Sequence, residues 1–312
     1  MMNKGVLITG THRSGTTWLN SILMKSGTFA NIFEYFPKQD VFDDDHHKLV
    51  WDDIYHLPKE EQEKLKKRLQ EISNFTTKDF LKDLKSIAKF NKSFPKNLNR
   101  ILQNYSAKLK NKPPLFKEPH GLFAVEWMEQ NLGLETIILI RHPGAFAGSC
   151  KVKNWPVDFS KIYAKKYLLE THLKPFADQI EKFTEKEHDL IDQSILFWNI
   201  SYYRVLQYMK QEQKRHYLKH EDLSSDPINQ FKVLYDNLGL EFNTKVNQYV
   251  NLLCNSEHRI DIEKKGTSRN DLIRNSNAAL KNWKNRLTEE EIQRIRKGTQ
   301  EIAGHFYNEN DW

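Results

Sequence analysis

Apolar and polar residues alternate along this chain in blocks that predict strands separated by helices. Residues 5–9 form a short apolar run, typical of a strand that is buried on both faces. A polar turn follows at 10–15, and residues 16–25 then place apolar side chains at helical spacing until Gly27 ends the helix. A second apolar run at 30–36 has the length of another strand. The chain therefore opens with a predicted strand, turn, helix and strand.

The pattern changes at residues 38–112, which are rich in Lys, Glu, Asp and Asn. Two amphipathic helices are predicted there, at 60–72 and at 77–90. A short connection between a helix and a strand does not need so many residues. We therefore interpret 38–112 as a helical insertion, or lid, within a single domain that spans residues 1–312.

Strand-like runs return at 115–117, 136–140 and 217–219, and each of the last two follows a segment with helical spacing. Strands that alternate with helices are the pattern of a parallel sheet with crossover helices. A last helix is predicted to begin at Thr288, because Thr288 and Glu291 have the spacing of a capping box. The predicted fold class is α/β, with a parallel sheet flanked by helices and the helical insertion.

The turn at 10–15 has the composition of a phosphate-binding loop, since the backbone N–H groups of such a loop and the positive end of the next helix attract an anion. An NTPase loop would carry a lysine where Thr16 stands; the cation here is Arg13. The strand at 136–140 ends in Arg141, where an NTPase would carry a metal-binding acidic residue. These positions predict a P-loop-like site without a metal and with a second anionic group.

The composition limits the partners and the location that we expect for the protein. The 312 residues include 48 Lys or Arg and 41 Asp or Glu, a net charge of +7. The basic residues are interleaved with Glu, which is typical of solvated helix faces, so no nucleic acid is expected as a partner. We expect no membrane span, because no apolar run is long enough, and no signal peptide. Cys150 and Cys254 cannot form a disulfide framework, and a cytoplasmic location is predicted. No pattern predicts an oligomeric state.

Two segments resemble the nucleotide site of the sulfotransferases that use 3′-phosphoadenosine-5′-phosphosulfate (PAPS). Residues 9–19 include Arg13 and Trp18 and resemble the family's 5′-phosphosulfate loop. Residues 140–149 resemble its 3′-phosphate site, an arginine followed eight residues later by a serine. The two segments occur in the order in which the family has them.

Three further segments are similar to this family, at 117–119, 220–227 and 282–288, so that the resemblance covers most of the chain. The chain departs from the cytosolic small-molecule branch in two ways. A long insertion separates Lys264-Lys265-Gly266 from Trp283, and the strand end of that branch, a lysine and a histidine separated by one residue, is missing. The resemblance is therefore to the bacterial or carbohydrate-like branches.

The resemblance implies transfer of a sulfuryl group from PAPS to a hydroxyl or amine of a small molecule or carbohydrate, with adenosine 3′,5′-bisphosphate as the product and no metal. Arg13 would neutralise charge on the leaving phosphate, and Lys117 would either contact the sulfuryl group or pair with Glu118. Trp18 would stack on adenine, or it is a core residue. The implied nucleotide-binding residues are Arg13, Ser14, Gly15, Thr16, Thr17, Trp18, Arg141 and Ser149.

The acceptor must lose a proton as it attacks sulfur, so a general base is expected. Glu34 closes the second predicted strand and resembles the strand-end glutamate that acts as the base in some bacterial and carbohydrate sulfotransferases. We predict Glu34 as the base and His120 as the second candidate, because a histidine has a suitable pKa. Glu118 is expected to pair with Lys117 instead.

Two other functions are compatible with the sequence. A small-molecule or nucleotide kinase would share the P-loop-like strand, loop and helix, and it would require ATP and Mg²⁺. A protein that binds polyanions without catalysis would share the basic charge, and its binding would weaken steeply with salt.

Overall fold

The computed structural model of the protein describes residues 4–33, 54–73, 106, 110–254 and 280–312. Within these residues, five parallel strands form one sheet in the order β2-β3-β1-β4-β5. The strands are β1 (Val6–Gly10), β2 (Ala30–Phe33), β3 (Pro114–Lys117), β4 (Glu135–Ile140) and β5 (Arg215–Lys219). The parallel sheet confirms the predicted α/β class.

Helices cover both faces of this sheet. Those described are α1 (Thr16–Leu23), α2 (Lys59–Ser73), α3 (Val125–Leu132), α4 (Pro143–Lys153), α5 (Phe159–Tyr163), α6 (Lys166–Thr171), α7 (Ala177–Glu185), α8 (Leu190–Met209), α9 (His220–Ser225), α10 (Pro227–Asn237), α11 (Thr244–Cys254) and α12 (Glu289–Ala303). None of them is both long and apolar enough to cross a bilayer.

The first strand, turn and helix are confirmed. All five residues of β1 are buried, as expected for a central strand. The helix is slightly shorter than predicted, because the chain tightens into a 3₁₀ turn at Met24–Ser26 before Gly27 ends it with a φ of 70°. β2 ends at Phe33, and residues 34–53, including the predicted base Glu34, lie outside the described residues.

Alternate side chains of the strands enter two separate cores. Val6 and Ile8 of β1 pack with α1, α10 and α11 on one side, while Leu7 packs with α3, α4 and α8 on the other. In β4, Ile137 and Ile138 divide in the same way. Burial on both faces is the reason that these strands are continuous apolar runs in the sequence.

One helix of the predicted insertion is described, and it is attached to the second of these cores. Helix α2 confirms the prediction at 60–72 and buries Leu65, Leu69 and Ile72. Trp127 of α3 donates from its indole Nε1 to Gln62 Oε1 of α2 at 3.3 Å. The helix predicted at 77–90 lies outside the described residues, and the boundaries 38–112 and the single domain 1–312 stay predictions.

The last helix, α12, begins at the predicted capping box. The backbone N–H of Glu291 donates to Thr288 Oγ1 at 3.2 Å, and the backbone N–H of Thr288 donates to Glu291 Oε2 at 2.7 Å. Asn199 of α8 donates from Nδ2 to the carbonyl of Gly298 at 2.8 Å. The bond from Asn199 attaches the last helix to α8.

Candidate active site

The loops that follow the parallel strands meet at one edge of the sheet. β1 is central and pairs with both β3 and β4, although the chain goes from β1 to the edge strand β2. Such a reversal of strand order opens a crevice at the carboxyl ends of the strands, which is where open α/β sheets bind ligands. The loop after β1, at residues 10–15, lies at this position.

Tight packing explains the two glycines of this loop. Gly10 has a φ of 149°, and a Cβ atom there would lie 2.6 Å from the carbonyl oxygen of Leu139 in β4. Gly15 has a φ of 103°, and its Cβ would lie 2.6 Å from the His220 ring. Arg13, with a φ of 65°, also takes the left-handed conformation. The loop is therefore held close to the sheet and to the start of α9.

The loop fits an anion. α1 begins after Gly15 without a side-chain cap and without an acidic residue in its first turn, so the positive end of the helix is not neutralised locally. Ser14 Oγ is buried and has no hydrogen-bond partner among the described residues. Thr16 is buried and Thr17 is half-buried at the helix start. A phosphate at this loop would give these donors an acceptor.

Arg13, Arg141 and Ser149, which are far apart in the sequence, are brought together here. Arg13 Nε donates to Ser149 Oγ at 2.9 Å, and Arg141 Nη1 donates to the carbonyl oxygen of Arg13 at 2.7 Å. Arg141 Nε is buried without a partner among the described residues. The unused donor of Arg141 beside Arg13 is suited to an anion, because a guanidinium can donate two parallel hydrogen bonds to phosphate.

Helix α8 fixes the backbone of Arg141 with two aromatic side chains. The backbone N–H of Arg141 donates to Tyr202 Oη at 2.9 Å, and Trp198 Nε1 donates to the carbonyl oxygen of Arg141 at 2.9 Å. Tyr202 Oη also lies 3.2 Å from Thr11 Oγ1. Tyr202 thus connects the loop after β1 to the end of β4.

A half-buried carboxylate, that of Glu221, lies next to Arg141. Glu221 Oε1 accepts the backbone N–H of His142 at 3.1 Å, and Oε2 accepts the hydroxyl of Tyr307 at 2.9 Å. Burial raises the pKa of Glu221, while the charge of Arg141 and these two hydrogen bonds act in the opposite direction. His142 stacks on Trp283 with ring centroids 4.9 Å apart, and burial lowers its pKa to about 3.

The sequence does not mark Tyr202, Trp198 or Tyr307 as site residues. Trp198 and Tyr202 lie on a helix whose apolar spacing is that of an ordinary core helix, and Tyr307 follows the last long helix. Their positions in the sequence carry no motif. Glu221 belongs to the segment at 220–227 that resembles the family, and the resemblance alone implies no role for it.

Trp18 has contacts that fit both of its predicted roles. Its ring lies 5.3 Å from that of Phe231 in α10 and 5.5 Å from that of His220, measured between centroids. It is nevertheless only half-buried. One part of the indole therefore packs in the fold, and another part is open to a ligand.

A second group of predicted site residues follows β3 and lies near the loop after β1. Lys117 is buried at the end of β3, and His120 is exposed three residues later. His120 lies at a cleft that is open to solvent and that also includes Gly10, Thr11 and His12 of the loop. The other lining residues are mostly apolar: Pro119, Leu122, Phe123, Ile162, Leu168, Leu173, Phe197, Ile200 and Ser201.

His12 connects this cleft to the loop. Its ring lies 6.4 Å from that of His120 and 5.1 Å from that of Phe197, between centroids. Burial lowers the pKa of His12 to about 4, and the nearby His120 and Arg13 act in the same direction. His12 is therefore neutral near pH 7.

No group of His, Cys, Asp and Glu in the described part of the chain has the arrangement of a metal site. The acidic and histidine clusters at 43–47 and the segment Lys264-Lys265-Gly266 lie outside it. The catalytic roles of Lys117, His120 and Glu34 stay predictions, because no contact in the structure tests them.

Sequence comparison identifies the class of protein to which these features belong. Residues 3–306 match the family described as sulfotransferase domain, and the chain belongs to this family. No curated protein matches the sequence.

Solved structures with a similar fold were found as well. The sulfotransferase domain from the curacin biosynthetic pathway is 15% identical, covers 97% of each chain and has a TM-score of 0.46. The sulfotransferase domain from the Synechococcus PCC 7002 olefin synthase is 13% identical, with 98% of this chain and 95% of that chain covered and a TM-score of 0.46. Mouse sulfotransferase SULT7A1 complexed with PAP is 12% identical, with 97% and 84% covered and a TM-score of 0.43.

Proposed function

We propose that the protein transfers the sulfuryl group of PAPS to a hydroxyl or amine of a small-molecule or carbohydrate acceptor. The observation that carries this proposal is the contact between Arg13 and Ser149, with Arg141 bonded to the backbone of Arg13. It joins a loop suited to a 5′-phosphosulfate with a second anion site. PAPS carries anionic groups at both of these positions, whereas AMP carries only the first.

The loop after β1 binds the 5′-phosphosulfate in this proposal. The backbone N–H groups at the start of α1 and the hydroxyls of Ser14, Thr16 and Thr17 donate to its oxygens. The guanidinium of Arg13 is positioned to neutralise the charge that develops on the phosphate as the sulfuryl group leaves. A fixed cation that requires no reorganisation is an effective means of stabilising such a transition state.

Arg141 and Ser149 bind the 3′-phosphate. The buried Nε of Arg141, which has no partner among the described residues, provides a donor for this group. Trp198, Tyr202 and Glu221 hold the backbone on either side of Arg141, so that its guanidinium is oriented before the nucleotide binds. The exposed part of the Trp18 indole stacks on the adenine.

The reaction needs a nucleophile, a leaving group and a base. The acceptor oxygen forms a new bond to sulfur, the bond between sulfur and the bridging phosphate oxygen breaks, and that oxygen keeps the electron pair. The proton of the acceptor passes to a general base, for which we propose Glu34 first and His120 second. Lys117, at the end of β3, is proposed to contact the sulfuryl oxygens.

The direct test is incubation with ³⁵S-labelled PAPS and a panel of hydroxyl and amine acceptors, in EDTA. We expect labelled product and an equal amount of adenosine 3′,5′-bisphosphate, because the proposed chemistry uses no metal. Turnover that depends strictly on ATP and Mg²⁺ would instead identify a kinase. Polyanion binding that falls steeply with salt and that PAPS does not compete for would identify the binding protein.

A further inference from the structure

An exposed tryptophan, Trp155, lies over the guanidinium of Arg13. Cζ of Arg13 is 5.7 Å from the centroid of the Trp155 ring, a distance at which a cation is attracted to the face of an aromatic ring. We propose that Trp155 is a positioning residue for Arg13, which orients the guanidinium towards the 5′-phosphosulfate. This inference rests on the proposed function, and Trp155 lies outside all of the segments that resemble the family.

The end of α4 fixes the backbone of Trp155. Asn154 takes the left-handed conformation after the helix, with a φ of 49°. The backbone N–H of Trp155 donates to the carbonyl oxygen of Cys150 at 3.1 Å, and that of Asn154 donates to the carbonyl oxygen of Lys151 at 3.1 Å. These two bonds form a Schellman motif, which sets the direction of the chain after a helix. Trp155 therefore has a fixed backbone, although the residue is 44% exposed.

Helix α4 and the residues that end it contact Arg13 at two points. Ser149 Oγ accepts the Nε–H of Arg13 at 2.9 Å, and the ring of Trp155 lies over the same guanidinium. The guanidinium is planar, so contacts at its Nε and at one face fix the plane in which Nη1 and Nη2 donate. Trp155 thus restricts the directions in which Arg13 can bind an anion.

This support matters because Arg13 has a long side chain on a loop. An arginine side chain that is ordered only when a ligand binds loses rotamer freedom at that moment, which lowers the affinity. A cation that is already oriented stabilises a developing charge without reorganisation. We therefore expect Trp155 to increase the affinity of the loop for a 5′-phosphate group.

Trp155 is also in contact with the loop through His12. The centroids of their rings are 5.8 Å apart, with an angle of 57° between the planes. Burial lowers the pKa of His12 to about 4, so His12 is neutral near pH 7 and does not compete with Arg13 as a cation at this ring. The loop residue that gains from the aromatic face is therefore Arg13.

The experiment is calorimetry of adenosine 3′,5′-bisphosphate with two variants of Trp155. Trp155→Leu keeps an apolar side chain and removes the aromatic face, so the affinity should fall about fivefold. Trp155→Phe keeps an aromatic face, and its affinity should stay within about twofold of that of the unaltered protein. Tyr163→Leu is the matched control, because Tyr163 is an exposed aromatic residue of α5 that bonds to Glu181. Equal losses in Trp155→Leu and Tyr163→Leu would overturn the inference.

A double-mutant cycle separates positioning from a general structural role. In an Arg13→Met background, Trp155→Leu should lower the affinity less than about twofold, because the ring acts through the guanidinium. A full fivefold loss in that background would show that Trp155 acts independently of Arg13, and the inference would be wrong. If Trp155→Leu does not fold, as judged by circular dichroism, Trp155→Met takes its place with the same expectation.

The same measurements distinguish this inference from the proposed function. If the unaltered protein does not bind adenosine 3′,5′-bisphosphate, the proposed function is wrong and the inference falls with it. If the unaltered protein binds this nucleotide and Trp155→Leu binds it equally well, the inference alone is wrong.

Discussion

The proposed nucleotide site and the apolar cleft are adjacent, but the chain builds them in different ways. The proposed nucleotide site comes from two short segments, at residues 10–18 and 141–149, which contain glycine, hydroxyl and arginine residues and include the starts of α1 and α4. The cleft takes its apolar walls from α5, α6, α8 and the segment after β3. The first part is therefore visible as a motif, whereas the second depends on how distant helices pack.

This difference has a chemical reason. A phosphate requires backbone donors and a cation at fixed short spacing, and few sequences provide them. An apolar cleft requires only side chains that are large enough and that leave a space between them. In the proposed function, the donor site is therefore encoded locally, whereas the cleft beside it depends on packing.

The largest expected effect is that of Arg13. Arg13→Ala should lower kcat by about 10²- to 10³-fold, because it removes a cation from the charge that develops in the transition state. Steady-state assays with labelled PAPS would measure the loss. Arg294→Ala is the matched control, since Arg294 pairs with Asp189 away from the loop, and it should have little effect. A loss below threefold in Arg13→Ala would exclude a catalytic role.

The second-largest loss of kcat is expected from replacing the proposed general base. Glu34→Gln should lower kcat by about 10²-fold and leave the affinity for adenosine 3′,5′-bisphosphate intact, because the base acts on the acceptor and not on the nucleotide. His120→Asn is measured in parallel, and we expect the smaller loss there. If the His120→Asn variant has a low kcat while the kcat of the Glu34→Gln variant is normal, the histidine is the base.

Tyr307 should have a moderate effect on nucleotide choice. Tyr307→Phe removes the hydrogen bond to Glu221 behind Arg141, so the affinity for adenosine 3′,5′-bisphosphate should fall about fivefold and that for AMP should not change. Calorimetry with both nucleotides measures this. Tyr235→Phe is the control, as it removes a buried bond to the carbonyl of Ile22 on the other side of the sheet. Equal losses for both nucleotides would indicate a general loss of structure.

The last effect concerns stability at acid pH and not activity. His142 has a folded pKa of about 3 against 6.5 for an unperturbed histidine, so the unfolded chain binds the extra proton first. Stability should therefore fall as the pH decreases from 6.5 towards 3, by up to about 1.4 kcal/mol per pH unit from this group. His142→Asn retains an acceptor at this helix N-cap and should reduce the slope in urea unfolding. An unchanged slope would contradict burial as the cause.

The parts of the fold that depend on neighbouring residues could be predicted from the sequence. The buried strand β1, the glycine turn after it and the capping box at Thr288 each depend on a few consecutive residues. The same holds for the parallel sheet, because strands and helices alternate along the chain.

The support of the site could not be predicted in this way. Tyr202 and Trp198 contact Arg141 across about 60 positions of sequence, and their spacing in α8 is that of any core helix. The same is true of Phe197, whose position in the cleft depends on the packing of α8 against the loops. Such contacts are set by tertiary structure, so no local pattern indicates them.

The central claim is that Arg141 and Ser149 make this a site for a nucleotide with a 3′-phosphate. Calorimetry of the protein with adenosine 3′,5′-bisphosphate and with AMP tests it directly, with Arg141→Ala measured beside it. The account predicts that the bisphosphate binds at least about tenfold more tightly than AMP, and that Arg141→Ala removes most of the difference. Equal affinities of the unaltered protein for the two nucleotides would contradict it.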